Sequence, residues 1–208
     1  MCIRDRPFTD VAESRWSYSY IKEMYDAGVI NGMTATTFAP AANVTRAQFV
    51  TMIARLADAD VSGYASGPFA DVPAGSWYAP YVNWAAANGI VNGTSATTFD
   101  PSGQITREQL AAILYRYTAK YAPDATGNAA SLADYPDAGS VSAYARDAMA
   151  WAVGNGLIKG LPHDKTDYLE PGGSTTRAQV ATILMRYKQA TALSLIHISE
   201  PTRPEPIS

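Results

Sequence analysis

The chain is organised around the stretch Thr45-Arg46-Ala47-Gln48, which recurs twice further along the sequence. The other copies are Thr106-Arg107-Glu108-Gln109 and Thr176-Arg177-Ala178-Gln179, and each copy directly precedes an apolar run with helical spacing. A threonine followed by glutamine at this distance is the capping-box pattern. In it the threonine hydroxyl accepts from an early helix N–H, and the glutamine side chain reaches back to the cap N–H. The sequence therefore predicts that a helix begins directly after the threonine of each copy.

The arginine of each copy then falls at the first helical position. A cation is disfavoured there because the helix dipole places partial positive charge at this end. Three arginines in register, Arg46, Arg107 and Arg177, therefore indicate a use for positive charge. A helix N-terminus with free N–H groups beside a guanidinium is suited to bind a carboxylate or phosphate. The alternative is an arginine that is solvated at the surface or paired with an aspartate of a neighbouring repeat, and the recurrence favours anion binding.

Other landmarks recur in the same order around the three motifs. They are Phe8, Asp10, Trp16, Gly28, Gly32 and Phe38, then Phe69, Asp71, Trp77, Gly89, Gly93 and Phe99, then Tyr135, Asp137, Tyr144, Gly156, Gly160 and Leu169. The first glycine of each pair fits a left-handed helix stop, and the second fits a turn that needs positive φ. The third repeat carries extra residues within 161–168, which we expect in a surface loop.

The clearest element of each repeat is its second helix, where apolar residues stand at i, i+3, i+4 and i+7. They are Phe49, Met52, Ile53 and Leu56, then Leu110, Ile113, Leu114 and Tyr117, then Val180, Ile183, Leu184 and Tyr187. One pair of helices, about 50 residues, buries too little surface to be stable alone, so the apolar faces should pack on each other. The predicted fold is all-α, with three helix-loop-helix repeats at 7–60, 68–120 and 132–188 packed with pseudo-threefold symmetry. The linkers at 58–67 and 118–134 show no helical periodicity.

Composition excludes several classes of function. The net charge of −3 and the pI of about 5.3 leave no general basic field for nucleic acid or an anionic membrane. No apolar run approaches the roughly 20 residues of a membrane span. Cys2 is the only cysteine, and His163 and His197 lack nearby ligand spacing, so neither a metal site nor a cofactor is predicted. No hydrolase, zinc-protease, phosphate-loop or calcium-loop motif occurs, which indicates a protein that is not an enzyme.

The two ends of the chain look foreign to the fold. Residues 1–6 and 194–208 resemble translated sequencing-adaptor read-through, and we leave them out of the fold prediction. Met1 is then not expected to be the native start, so the absence of a signal peptide says nothing about export.

The ordered set of landmarks, three times over, resembles S-layer homology domains across residues 7 to 188. The resemblance implies an extracellular module of the bacterial cell wall or S-layer, monomeric, with its three repeats arranged as a pseudo-trimer. It implies binding of acidic secondary cell-wall polysaccharide, often with ketal-linked pyruvate, in grooves between repeats. The family's motif arginine maps onto Arg46, Arg107 and Arg177. The motif's fourth residue is glutamine here in place of the family's glutamate (Gln48, Gln109, Gln179), which preserves the cap but removes a carboxylate. The predicted ligand-binding residues are these three glutamines, the three motif arginines, Trp16 and Trp77. The third repeat departs furthest from the family's pattern, with Tyr144 for tryptophan, Leu169 for phenylalanine and an enlarged loop.

Other recurring residues leave alternatives open. Trp16 and Trp77 could stack on a sugar face, but the favoured role is to start the first helix and fill the seam between helices, with an edge exposed. Trp84 and Trp151 are expected to pack at contacts between repeats.

The recurring charged residues are weighed in the same way. The aspartates of the landmark set are read as turn or cap residues rather than general acids. A second set of arginines recurs nine residues after the first, and a salt bridge to another repeat is favoured for it over groove lining (Arg55, Arg116, Arg186). Two further functions remain open, a protein-docking module and the anchor fragment of a larger wall-associated glycoside hydrolase. Replacing all three motif arginines by alanine is expected to leave the fold intact, because loss of a surface arginine usually changes stability by under about 0.5 kcal/mol, and to abolish wall binding.

Overall fold

The computed structural model describes residues 7–164 and 166–198, and 192–198 are described by their backbone alone. The predictions made for 1–6, for the His197 side chain and for 199–208 lie outside the described residues. The predicted tail boundary at 194 falls inside a helix that continues to Ile198.

Two α-helices per repeat supply most of the regular secondary structure, which confirms the helical part of the all-α prediction. They are α1 (Tyr18–Asp26), α2 (Arg46–Leu56), α3 (Ala79–Ala87), α4 (Arg107–Tyr121), α5 (Arg146–Gly154) and α6 (Arg177–Ile198). Short 3₁₀ helices lie at Pro123–Thr126, Ala138–Ser140 and Ala143–Ala145. The start of the second linker, for which the sequence predicts no helix, therefore completes α4 and forms a 3₁₀ turn.

The extra residues of the third repeat form a small antiparallel hairpin, an exception to the all-α prediction. Its strands are β1 (Leu161–His163) and β2 (Thr166–Tyr168), with Leu161 paired to Tyr168. The hairpin is largely exposed, as expected of an insertion in a surface loop.

The second helix of each repeat begins where the capping box predicts. Thr45 Oγ1 accepts a hydrogen bond from the Gln48 backbone N–H at 3.3 Å, and the Thr45 N–H donates to Gln48 Oε1 at 3.0 Å. The other two threonine–glutamine pairs make the same reciprocal bonds. The three helix starts are confirmed together with their cause.

The two glycines of each repeat act differently from each other. The first glycine ends the first helix with φ of 71°, 69° and 66° in the three repeats, which confirms the left-handed stop. Positive φ at the second glycine is a wrong prediction, because none of these residues adopts it. Glycine is needed at this position because any side chain would clash with neighbouring atoms. A Cβ on Gly93 would lie 2.2 Å from Thr98 O and 2.3 Å from Ser95 O.

The aspartate that opens each repeat holds the turn before the proline, as predicted. Asp71 accepts hydrogen bonds from the backbone N–H groups of Phe99 and Asp100 at 2.8 and 2.7 Å, and Asp10 and Asp137 make the equivalent pairs. The residue before each proline has φ of 56°, 59° or 47°. This backbone conformation is strained for any residue other than glycine. Burial acts to raise the pKa of Asp71, but these hydrogen bonds outweigh it and the pKa lies below its ordinary value.

Contacts between the repeats close into a ring. Helix α2 packs against α3, α4 against α5, and α6 against α1. Backbone hydrogen bonds just before the motifs follow a closed circuit. Val44 N donates to Thr175 O at 3.0 Å, Thr175 N to Ile105 O at 3.2 Å, and Ile105 N to Val44 O at 2.9 Å. Every repeat therefore contacts both of the others.

One continuous apolar core lies under these contacts. The residues that helical spacing predicts to be apolar and inward are buried, except Leu56, which is half-buried. Trp151 of α5 packs on Tyr115 of α4 with ring centroids 5.3 Å apart, which confirms its place at a contact between repeats. Trp84 stacks on Tyr121, a contact within the second repeat.

Candidate functional site

The motif arginines are buried, contrary to the alternative of a solvated or aspartate-paired surface residue. Arg46, Arg107 and Arg177 are 5%, 4% and 4% exposed. Arg107 reaches into the third repeat, where Nε donates to Leu169 O at 2.6 Å and Nη2 to Lys159 O at 2.7 Å. The other two arginines make equivalent bonds to the next repeat in the ring. The expectation that all three can be replaced without loss of stability no longer holds, because it assumed surface residues.

The helix N–H groups beside these arginines are occupied, so the prediction of free N–H groups is wrong. The N–H groups of Arg46 and Ala47 donate to Gly103 O at 2.8 Å and to Pro101 O at 3.1 Å. The other two motifs repeat this pair of bonds to the following repeat. The third N–H of each helix donates to the threonine cap. The backbone at the helix start therefore joins repeats together, and only side chains are left to face a ligand.

Burial shapes the electrostatics of the arginines. Burial lowers the pKa of Arg107 from its ordinary value, and the negative charges of Glu170 and Asp137 oppose this effect. Arginine nevertheless stays protonated at neutral pH. The guanidinium carbon of Arg46 lies 4.6 Å from the ring centroid of Phe99. The third repeat has Leu169 where this phenylalanine is expected, so Arg107 lacks the corresponding ring.

Three grooves lie between the repeats, and each takes side chains from all three. Groove A includes Arg46, Asn92, Gln109, Ala112, Arg116 and Tyr144. Groove B includes Arg107, Lys159, Gln179, Thr182, Arg186 and Trp16. Groove C includes Arg177, Asn31, Gln48, Thr51, Arg55 and Trp77. All eight residues that the sequence analysis names as ligand-binding therefore line one of these grooves.

The aromatic landmark of each repeat stands at the edge of a groove rather than in a seam between helices. Trp16 and Trp77 are each 59% exposed, and Tyr144 is 54% exposed. The exposed part of the two tryptophans is thus far more than an edge, so the favoured prediction that they fill a seam between helices is wrong. The first helix of each repeat starts two residues after this aromatic, which leaves the ring outside the helical face that packs. Tyr144 was not named as a binding residue, although its alignment with the tryptophans was the available signal.

The second set of arginines lines the grooves. In the described residues the ion pairs are Lys22 with Asp26 and His163 with Glu170, so the favoured salt bridge to another repeat is wrong for Arg55, Arg116 and Arg186. Each lies half-buried on the second helix of its repeat and lines the same groove as a motif arginine. Their regular recurrence in the sequence was the signal for this position.

The features peculiar to the third repeat fall in two different grooves. Tyr144 borders groove A, whereas the loop before the hairpin borders groove B. The Tyr144 hydroxyl donates to Glu108 Oε1 at 3.2 Å, and the Ser142 N–H donates to the other oxygen at 2.9 Å. Burial, reinforced by the Glu108 charge and hydrogen bond, raises the pKa of Tyr144 to about 12. Tyr144 is therefore a neutral phenol at physiological pH.

Two features are absent from the part of the chain that the structure describes. None of its helices combines the length and the apolar character needed to cross a bilayer. Its His, Cys, Asp and Glu side chains form no cluster of three or more that could hold a metal ion.

Comparison with known proteins gives the same three repeats. The sequence profile of the S-layer homology domain matches residues 7–50, 68–111 and 134–181. The chain is 36% identical to an endoglucanase of Bacillus sp. (strain KSM-635) over 179 residues, which are 86% of this chain and 18% of that protein. It is 33% identical to an amylopullulanase of Thermoanaerobacterium thermosulfurigenes over 183 residues, 86% of this chain and 9% of that protein. It is 31% identical to the surface-layer 125 kDa protein of Lysinibacillus sphaericus over 173 residues, 83% of this chain and 14% of that protein.

The chain thus spans less than a fifth of the length of each of these relatives. Domains of the matched family are non-catalytic modules that anchor S-layer and cell-surface proteins, including glycoside hydrolases, to the cell wall. The matches fall on the three motif-bearing units that the hydrogen bonds join into a ring. With three tandem copies that cover most of its length, the chain belongs to the S-layer homology domain family.

Proposed function

We propose that the chain anchors an extracellular protein to the bacterial cell wall by binding an acidic, pyruvylated secondary cell-wall polysaccharide. The three grooves are the binding sites, and their related positions and side chains make the module pseudo-threefold. The observation that carries this proposal is the repeated side-chain set of grooves A, B and C. Each groove has an exposed aromatic ring, two arginines and a glutamine. No chemical step is involved.

The side chains suit the two halves of such a ligand. An exposed tryptophan or tyrosine offers an apolar face for the C–H surface of a sugar ring. A guanidinium matches the carboxylate of a pyruvate ketal in geometry and charge. Arg107 and Arg177 each use Nε and Nη2 for backbone carbonyls, and Nη1 has no acceptor among the described residues. A charge-assisted hydrogen bond from that nitrogen contributes about 1.5–3 kcal/mol.

Several grooves on one chain give a firm anchor from modest individual sites. A polymer that is held in one groove is at high effective concentration for the next. Linked sites of this kind gain about 10²- to 10⁴-fold in avidity when the spacing allows simultaneous engagement.

We also propose that the chain is the anchoring part of a larger surface protein. The relatives include an endoglucanase and an amylopullulanase as well as a surface-layer protein, and this chain matches only a minor part of each. A wall-associated glycoside hydrolase and an S-layer protein are therefore both candidates for the parent.

The test is co-sedimentation of the chain with purified cell-wall sacculi, before and after extraction of the polysaccharide. The binding variant is Trp16→Ala with Trp77→Ala and Tyr144→Ala, because these rings are exposed and their loss should leave the fold intact. The control is Tyr121→Ala, which removes a ring that is 48% exposed and lies outside the three grooves.

We expect polysaccharide-dependent pelleting that the control keeps and the triple variant loses, with both variants melting as cooperatively as the unmodified chain. Pelleting that survives removal of the polysaccharide would instead favour a protein-docking module.

A further inference from the structure

The three grooves differ in size. Groove A has a volume of about 420 Å³, whereas groove B has about 190 Å³ and groove C about 180 Å³. Groove A is thus larger than the other two together. If grooves B and C each admit one sugar residue, groove A has room for two.

A single position on the second helix contributes to this difference. Groove A has Ala112 where grooves C and B have Thr51 and Thr182. The hydroxyls of both threonines donate to the backbone carbonyl one turn earlier, at 2.9 Å in each case, which fixes their side chains on the groove wall. The Tyr144 hydroxyl, on a ring that also borders groove A, donates to Glu108, and the other two motifs have alanine at the position of this glutamate.

The cations of groove A are also arranged differently. All three guanidinium nitrogens of Arg46 donate to protein acceptors: Nε to Phe99 O at 2.8 Å, Nη1 to Gln109 Oε1 at 3.2 Å and Nη2 to Asn92 O at 3.4 Å. Among the described residues, Arg107 and Arg177 find acceptors for only two of their three guanidinium nitrogens. The motif arginine of groove A is therefore the one most fully committed to holding repeats together.

The second arginine of each groove shows the opposite difference: it is hydrogen-bonded in grooves B and C and has no such bond to the described residues in groove A. Arg186 Nη1 donates to Leu157 O at 3.4 Å, and Arg55 Nη1 lies 3.2 Å from the Asn31 amide, which accepts from it once its oxygen faces the guanidinium. Arg116 has no hydrogen bond or ion pair to any of the described residues, so its guanidinium is available in groove A.

We propose that groove A is a second class of binding site, in which Arg116 rather than Arg46 binds the anion and which takes a two-sugar acidic segment. Grooves B and C bind the anion through Nη1 of the motif arginine and take one sugar. This inference rests on the proposed function, because it assigns the ligand of one of its three sites. The three grooves would then bind different segments of one polymer.

The test follows each groove separately by NMR, through the backbone amide of the glycine that borders it. Gly93 reports on groove A, Gly160 on groove B and Gly32 on groove C. The probes are a methyl hexopyranoside that carries a pyruvate ketal and a disaccharide that carries the same ketal at one end. The methyl ester of each probe serves as the uncharged control.

The decisive variant is Arg116→Gln, with Lys120→Gln as the matched control one turn further along α4. We expect Arg116→Gln to raise the Kd reported by Gly93 tenfold or more, since a charge-assisted bond is lost. The Kd values at Gly160 and Gly32 should stay unchanged, and Lys120→Gln should leave all three unchanged. The disaccharide should bind more tightly than the monosaccharide at Gly93 alone.

A third variant tests the size difference. Ala112→Thr gives groove A the wall of its two counterparts, a change that the other repeats already accommodate. It should abolish the advantage of the disaccharide at Gly93.

The possible failures can be told apart. If neither probe shifts any of the three glycine amides, the proposed function itself is overturned. If the probes shift all three and Arg116→Gln leaves the Kd at Gly93 unchanged, only the assignment of groove A fails. An equal gain for the disaccharide in every groove would overturn the two-sugar part.

Discussion

Replacing Arg107 by alanine should destabilise the whole fold, although the residue lies beside a proposed binding groove. Its guanidinium donates to Leu169 O at 2.6 Å and to Lys159 O at 2.7 Å, and the side chain is only 4% exposed. Each hydrogen bond from a charged donor contributes about 1.5–3 kcal/mol, and the variant leaves two carbonyls of the third repeat without their partner. We therefore expect a loss of about 3–5 kcal/mol in the free energy of unfolding, a large fraction of the ~5–15 kcal/mol typical of a domain.

Urea denaturation followed by far-ultraviolet circular dichroism measures this loss. Arg116→Ala is the matched control, since it removes the same side chain from the same helix at a position without hydrogen bonds to described residues. Its cost should be about 0.5 kcal/mol. Arg107→Lys should lie between the two, because an ammonium cannot reproduce the planar fork that spans both carbonyls.

The reasoning would be refuted by an Arg107→Ala variant that unfolds within about 0.5 kcal/mol of the unmodified chain with an unchanged m-value. That result would mean that the two carbonyls find other partners at no cost. The arginine would then be available to a ligand without compromising the fold.

Three further predictions concern stability. Thr175→Val should stabilise the fold by about 1 kcal/mol, seen as a higher Tm, because the buried Thr175 hydroxyl has no partner among the described residues. The lowered pKa of Asp71 adds stability that is complete above its ordinary pKa and is lost as the pH falls through the folded-state value. Unfolding curves across the acid range should therefore show a smaller loss of stability for Asp71→Asn than for the unmodified chain, and equal losses would contradict the assignment. Gly93→Ala should cost about 1–3 kcal/mol through its clash with two carbonyls, while Gly75→Ala, where a Cβ meets nothing within 4 Å, serves as the control.

The helix starts could be predicted from sequence because their cause is local. Thr45 and Gln48 bond to each other within one turn, so four residues contain the whole interaction. The aspartates were likewise recognisable as turn residues, although their partners lie 28 to 33 residues away. The sequence did not indicate which backbone N–H groups these aspartates bond to.

The role of the motif arginines could not be predicted for that reason. Arg177 Nε bonds to Phe38 O across 139 residues, and only the closed ring of repeats brings the two together. Trp16 shows the same limit. Whether an aromatic ring is buried depends on what other repeats leave uncovered, and the rest of groove B comes from the second and third repeats. The sequence therefore indicated which residues matter and left open which of them hold the protein together.

The closed ring of hydrogen bonds between repeats bears on whether a single repeat could be stable alone. Each repeat donates arginine hydrogen bonds to one neighbouring repeat and accepts them from the other on its loop carbonyls. A single repeat on its own would therefore leave both its arginine and its loop carbonyls without partners. Three identical free copies could make all of these hydrogen bonds by assembling around an axis, whereas two copies would leave some of the arginines and carbonyls without partners. A chain with one repeat is thus expected to assemble as a homotrimer. In a single chain of three repeats each contact can differ from the others, as it does at Leu169, where the other two repeats have phenylalanine.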